Sequence, residues 1–233
     1  MTSGDGRQFV FGFDHRPALG EETFLVADSN RDAVAWIDRW PDWQGPVLAL
    51  FGPEGSGKSH LAHVWQRRSQ AHHLNAASLD VGFLENWPGE GTAVVVEDGD
   101  CGVDEACLFH LMNLVREDHG FLLLTSREAP ARWPVALPDL RSRLAAAQAV
   151  AITRPDDVLI AAVLAKLFQD RQLRVPEDVI AYLVSRMERS FAAIGVTVAT
   201  LDRLSLAERR AITVPLARRV LDAAQAELDL GDD

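Results

Sequence analysis

The sequence predicts an α/β fold, a parallel sheet flanked by helices, followed by a small all-helical domain. Three observations predict it. Gly52-Pro53-Glu54-Gly55-Ser56-Gly57-Lys58-Ser59 reads G-x-x-x-x-G-K-S, between the apolar run Val47-Leu48-Ala49-Leu50-Phe51 and a helix start at His60-Leu61-Ala62. Two further apolar runs of strand length, Ala93-Val94-Val95-Val96 and Phe121-Leu122-Leu123-Leu124, follow with a helical stripe between them. From Pro155 onward the pattern is helical, with no strand evident.

The first observation carries chemistry. A strand, a glycine-rich turn and a helix start are the context that confirms a phosphate-binding P-loop. Gly52, Gly55 and Gly57 allow positive φ and close approach of the backbone. Their N–H groups then wrap a phosphate at a helix N-terminus, and Ser56 and His60 fall in the same stretch. Lys58 brings a point charge to the outer phosphates, and the Ser59 hydroxyl is placed to reach Mg²⁺.

Composition bounds the rest. The chain has 233 residues, 48% hydrophobic residues and a formal net charge of −11. That is enough apolar material for one large or two small cores. No run of ~18 apolar residues exists, so no membrane span is expected. The N-terminus lacks a signal-peptide layout. Cys101 and Cys107 are too few for a disulfide framework and lack zinc-site spacing, which favours free thiols in a reducing cytoplasm. An acidic chain is a poor direct ligand for DNA, whose affinity comes largely from phosphate neutralisation. Any link to DNA is expected through a partner.

In chain order, residues 1 to about 8 read as disordered. Gln8-Phe9-Val10-Phe11-Gly12-Phe13 reads either as an edge strand or as a short motif docking into a partner's apolar pocket. His15 to Gly20 reads as linker. Asp28 or Ser29 caps a helix from about Asn30 to Trp40, in which Trp36 and Trp40 pack. A short strand is expected at His72-His73-Leu74-Asn75-Ala76. His60, His63, His72 and His73 read as packing or solvent-facing, because no carboxylate or cysteine completes a metal-ligand set. The run 93–96 ends in Glu97-Asp98, and a strand of this kind in P-loop proteins carries the aspartate that holds Mg²⁺. Asp98 is assigned that role. The roughly 40 residues from the P-loop leave room for a parallel crossover.

Glu105 to Glu117 reads as a helix with Leu108, Leu111, Met112 and Val115 on one stripe. The strand at 121–126 ends in Thr125 and Ser126, at the end where open α/β sheets bind ligands. Pro138 opens a short helix bearing Arg141 and Arg143, which form a solvated face or reach a neighbour's phosphate. A last strand falls at 149–152. Helices are expected at about 155–170, 176–187, 189–203 and 213–228, with Pro176 opening the second. The domains are therefore 1–20, flexible; 21–154, α/β; and 155–233, helical.

These residues together resemble an AAA+ ATPase module. Glu22-Thr23-Phe24, Ser29-Asn30 and Gly57-Lys58-Ser59-His60-Leu61 resemble the ATPase domain of the replication initiator DnaA. Leu137-Pro138-Asp139-Leu140-Arg141-Ser142-Arg143-Leu144 resembles its arginine-finger segment. Leu201-Asp202-Arg203-Leu204-Ser205 and Thr213-Val214-Pro215 look more like Hda/HdaA, the DnaA-related regulators that inactivate DnaA after initiation. The sequence ends after these helices, so the helix-turn-helix domain of DnaA is not expected.

The resemblance implies specific roles. Asn30, Thr125 and Arg189 join the P-loop residues at an adenine nucleotide, ADP or ATP with Mg²⁺, and in Hda the held nucleotide is ADP. Gln8, Phe9, Phe11 and Phe13 resemble the Q-L-x-L-type motif that docks on the DNA polymerase sliding clamp, which favours the docking reading of that hexapeptide. Arg143 acts in trans on ATP held by DnaA. Head-to-tail packing of such subunits also admits a homo-oligomer. One departure is mechanical: with Asp98 on Mg²⁺, Gly99 stands where DnaA-type ATPases carry a water-orienting acid. Asp100 is a substitute one residue further on, and reading Glu97-Asp98 as the acid pair shifts the register by one. Slow autonomous hydrolysis is expected. A self-sufficient ATPase and a non-catalytic DnaA adaptor are the competing readings.

Overall fold

The structure is a computed structural model that describes residues 15–16 and 24–231. The hexapeptide Gln8 to Phe13 lies outside the described residues. His15–Arg16 (β1) pairs antiparallel with Phe24–Leu25 (β2). The stretch read as linker therefore begins with a paired residue, and the boundary read at residue 20 falls between two strands that pair.

The sheet that positions everything else has five strands, Val47–Phe51 (β3), His72–Asn75 (β4), Ala93–Glu97 (β5), Phe121–Ser126 (β6) and Gln148–Ala151 (β7). Their order is β4-β5-β6-β3-β7, with every pair parallel. The three inner strands are continuous apolar runs because both sheet faces are covered. Leu122, Leu123 and Leu124 are fully buried, each stabilising the fold by about 1.5–3 kcal/mol. The edge strand β4 is His72-His73-Leu74-Asn75, none of it fully buried. Polar residues at an edge discourage pairing with another chain.

Alternation along the strands splits the core in two. On one face Leu48, Leu50, Val95, Leu123 and Val150 pack against Arg31–Arg39 (α1) and Lys58–Ser69 (α2), through Ala33, Ile37, Leu61, Ala62 and Trp65. Trp40 and Trp43 meet Trp65 at ring separations of 6.2 and 5.2 Å, so the aromatic residues around α1 are packing. On the other face Ala49, Val94, Val96, Leu122 and Leu124 pack against Val81–Glu85 (α3), Glu105–Glu117 (α4) and Pro138–Ala146 (α5). The stripe Leu108, Leu111, Met112 and Val115 is the buried side of α4.

Caps account for several helix starts. Asp80, Asp104 and Asp156 accept from Phe83, Cys107 and Leu159 N–H at 2.9, 2.8 and 2.7 Å. Neither Asp28 nor Ser29 caps α1; Asn30 occupies that position, and its side chain turns back to accept from Ala27 N–H at 2.9 Å.

The C-terminal helices are Asp157–Asp170 (α6), Glu177–Arg186 (α7), Phe191–Glu208 (α8) and Val214–Gly231 (α9). Ile160, Leu164, Phe168, Leu183, Ile194, Val198 and Leu201 form their common core. Pro176 is the cap residue of α7 rather than its first helical residue. α8 runs on past residue 203 because Leu204 still packs against this core, and it ends where Arg209 takes a left-handed backbone, φ 50°. Among the described residues no helix is long and apolar enough to cross a membrane. Both cysteines are free, Cys101 exposed and Cys107 buried.

Candidate functional site

β3 lies between β6 and β7, where the strand order reverses, and its C-terminal end is a crevice position in open α/β sheets. The glycine-rich loop leaves from that end. Gly52 passes so close to β7 that a Cβ there would lie 2.0 Å from the Ile152 carbonyl oxygen. Gly55 has φ +71°, and a Cβ on it would lie 2.2 Å from the Ser190 Cβ. That neighbour belongs to the helical domain. Ser190 caps α8 by accepting from Ala193 N–H at 3.1 Å, and Phe191 N–H donates to the Gly55 carbonyl at 3.1 Å. The N-terminus of α8 therefore rests directly on the loop.

Gly57, φ 100°, is the N-cap of α2. Lys58 follows, 7% exposed, and its Nζ donates to the carbonyls of Gly52 and Pro53 at 2.8 and 2.9 Å. Burial pushes its pKa down, opposed by the charges of Asp98 and Asp100. The Ser56 hydroxyl is buried and has no partner among the described residues. A buried cation held on carbonyls and an orphaned hydroxyl in one loop fit an anionic ligand carrying hydrogen-bond acceptors.

Ser59 Oγ donates to Glu97 Oε2 at 2.6 Å. The acid brought to Ser59 is thus Glu97 and not Asp98. Glu97 is the last residue of β5, on the face that α2 covers; Asp98 lies past the strand end with a left-handed backbone, φ 54°. Asp98 N–H donates to Thr125 Oγ1 at 3.2 Å. Thr125 is fully buried, so its hydroxyl holds the turn after β5 instead of facing the crevice. Asp100 Oδ2 accepts from Arg127 and Glu128 N–H at 2.8 and 3.1 Å. Gly99 is explained by packing, since a Cβ there would lie 2.5 Å from the Trp133 ring.

Asn30 is buried, and Thr153 N–H donates to the Ser29 carbonyl at 3.1 Å, tying the start of α1 to the end of β7. His60 is half-buried in the first turn of α2. Arg189 Nη2 lies 2.8 Å from Asp157 Oδ1, both side chains more than half exposed, immediately before the Ser190 cap. The two arginines of α5 diverge. Arg141 donates to the Val135 carbonyl, while Arg143 donates to Asn113 Oδ1 at 2.7 Å and lies over the Phe109 ring at 5.5 Å.

Three features escape a linear reading. Glu105 accepts from the N–H groups of Ala136 and Leu137, which depresses its pKa and fixes the entry to α5. Arg127 reaches the loop residue Glu54 at 3.0 Å. Glu97 also stands beside two of the histidines, with Oε1 2.9 Å from His73 Nε2 and 4.0 Å from His63 Nδ1. The reading that no carboxylate joins the histidines is corrected by this contact. Glu105 and Glu97 meet these partners across long sequence separations, with no local signal.

The loop, the parallel sheet and the helical domain seated on the loop have the fold of an AAA+ module. Domain III of the Thermotoga maritima replication initiation protein DnaA superposes with TM-score 0.72 at 15% identity, covering 86% of this chain and 94% of that one. AMPPCP-bound DnaA from Aquifex aeolicus gives 0.67 at 18% identity, over 88% of this chain and 68% of that one. Thermotoga maritima RuvB gives 0.67 at 10% identity, over 84% and 68%. An uncharacterized protein of Haemophilus influenzae is 25% identical over 216 residues, 87% of this chain and 90% of that one. Residues 157–221 match the family model described as the Hda lid domain.

Proposed function

We propose that this protein is a nucleotide-bound negative regulator of replication initiation that stimulates hydrolysis of ATP held by DnaA. The observation that carries the reading is an Hda-type lid resting through Ser190 and Phe191 on a P-loop whose lysine is buried and held on carbonyls. In this reading Gly52, Gly55, Ser56, Gly57, Lys58, Ser59 and His60 hold the phosphates of ADP or ATP, with Asn30 and Arg189 at its edges. Ser59 and Glu97 hold Mg²⁺, which supplies neutralisation of phosphate charge. Lys58 exchanges the Gly52 and Pro53 carbonyls for phosphate oxygens. Thr125 acts by positioning the Asp98 turn.

Arg143 presents its guanidinium to ATP on a neighbouring DnaA. Its planar fork matches phosphate oxygens bidentately, and fingers of this kind contribute ~10³–10⁵ in rate. Release from Asn113 and Phe109 is required first. The N-terminal hexapeptide ties the protein to the sliding clamp, so contact with DNA is indirect. Homo-oligomers through the same head-to-tail surface fit the ADP-bound form.

With Glu97 on the metal side, Asp98 takes the position of the water-orienting acid, and Gly99 no longer bears on turnover. Slow autonomous hydrolysis now rests on a different ground. Arg143 and Arg189 are bonded to Asn113 and Asp157, which leaves Lys58 as the buried cation of the isolated site. The non-catalytic adaptor remains a second reading, favoured by the engagement of Arg143 within its own chain.

The test is conversion of DnaA-bound ATP to ADP in the presence of clamp loaded on DNA. Arg143→Ala and Arg143→Lys both lose the stimulation while keeping nucleotide binding, and Arg141→Ala has the smaller effect. Full conversion with Arg143→Ala would sink the shared-site mechanism and leave the adaptor.

A further inference from the structure

We infer that His63, His73 and Glu97 form a binding site for a divalent ion of the zinc class, on the α2 face of the sheet beside the phosphate loop. The three residues arrive from different elements. His63 lies one turn beyond Ser59 on α2, His73 is on the edge strand β4, and Glu97 ends β5. One ligand atom from each falls within 4.8 Å of the other two. The two imidazole rings stand 4.7 Å apart and are tilted by 57°, as two ligands turned toward one point would be.

The protonation states follow from the outer contacts. His73 Nδ1 lies 3.0 Å from Gln66 Oε1, and His63 Nδ1 lies 2.7 Å from the Ser59 carbonyl oxygen. Both oxygens only accept, so His73 carries its proton on Nδ1 and turns the Nε2 lone pair toward Glu97, while His63 faces Glu97 with Nδ1, 4.0 Å from Oε1, and exchanges the Ser59 carbonyl for the ion. Donation of the second ring N–H to a carbonyl is the arrangement that orients metal-bound histidines.

Glu97 supplies the charge. Its side chain is 13% exposed, and its two oxygens are divided. Oε2 accepts from Ser59 at 2.6 Å, while Oε1 is buried without a hydrogen-bond partner among the described residues, although His73 Nε2 is only 2.9 Å away. A lone pair that close to a carboxylate oxygen is repulsive unless a cation lies between them. A proton on His73 would neutralise the contact but is not aligned for a hydrogen bond. An ion seated off the N···O line, toward His63, meets all three groups. Two imidazoles and one carboxylate with an open fourth position suit Zn²⁺ in preference to Mg²⁺ or Ca²⁺, which take oxygen ligands. The His63 side chain is 56% exposed and provides the entry path. The site uses Glu97 Oε1, whereas Ser59 holds Oε2, so it is testable without nucleotide.

The experiment is a Zn²⁺ titration of the full chain without nucleotide, by calorimetry and by competition with a chromophoric chelator. A Cys101→Ser background removes the exposed thiol as a competitor. One ion per chain with micromolar or tighter affinity is expected, and Co²⁺ should give the visible absorption of a tetrahedral site. His63→Ala, at an exposed position, and His73→Ala should each weaken binding at least about tenfold, and Gln66→Leu, which leaves all three ligands in place, by about tenfold. Binding no tighter than millimolar, or tight binding that His63→Ala and His73→Ala leave unchanged, overturns the inference and leaves His73 and Glu97 as an ion pair.

Discussion

Gly55→Ala tests whether the lid is seated on the phosphate loop. Residue 55 has φ +71°, and a left-handed backbone costs an L residue about 1–2 kcal/mol. The added Cβ also arrives 2.2 Å from the Ser190 Cβ, at the base of a side chain and so unable to swing away. Overpacking of that kind costs about 1–3 kcal/mol. The expected loss is therefore about 2–5 kcal/mol, a fall in Tm of at least ~4 °C for a chain of this size.

The steric part is separable. Ser190→Gly removes the opposing Cβ, at a few tenths of a kcal/mol for the lost α8 cap. The double variant should retain only the ~1–2 kcal/mol backbone cost, giving a coupling of about 1–3 kcal/mol between the two sites. Gly195→Ala is the control: it lies within α8, a Cβ there meets no described residue within 4 Å, and the change should stabilise by about 0.5–1 kcal/mol. Urea unfolding followed by circular dichroism measures all four variants. If the costs of Gly55→Ala and Ser190→Gly simply add, within about 0.5 kcal/mol, the lid does not sit on the loop as described.

Lys58→Ala should abolish ADP and ATP binding in calorimetry, with ADP the tighter ligand of the unaltered chain; unchanged affinity would put the phosphate site elsewhere. Glu97→Gln should remove most of the Mg²⁺-dependent part of that affinity, and Asp98→Asn should lower turnover while leaving affinity nearly intact; the reverse pattern would restore Asp98 as the metal-side acid. Gln8→Ala with Phe11→Ala should lose binding to the sliding clamp while nucleotide affinity stays, and co-elution of the double variant with the clamp would return the hexapeptide to an edge-strand role.

Much of the molecule is legible in the sequence because its signals are local. The apolar runs at 47–51, 93–97 and 121–126 are β3, β5 and β6, since a doubly covered strand has no polar face to interrupt it. The stripe of α4 repeats at helical period, and Pro138 stands at the first turn of α5. The G-x-x-x-x-G-K-S loop is written in consecutive residues, and the helical domain shows as a change of period near residue 155. Periodicity and turn chemistry act over a few residues, so these features survive without knowledge of the fold.

The tertiary structure alone decided which side chains meet. Glu97 and Asp98 are neighbours in sequence, yet only Glu97 reaches Ser59, because the strand ends at Glu97 and the backbone turns left-handed at Asp98. Thr125 turned inward to hold that same turn. His73 meets Glu97 because β4 pairs with β5 in a register that sets Asn75 opposite Glu97, two residues further along the same face. Gly55 meets Ser190 because the helical domain folds back over the loop. Each contact joins segments far apart in the chain, and its existence depends on strand order, register and face. A one-residue shift in any of these moves a side chain to the opposite side of the sheet, and no local pattern of residue types encodes which choice is made.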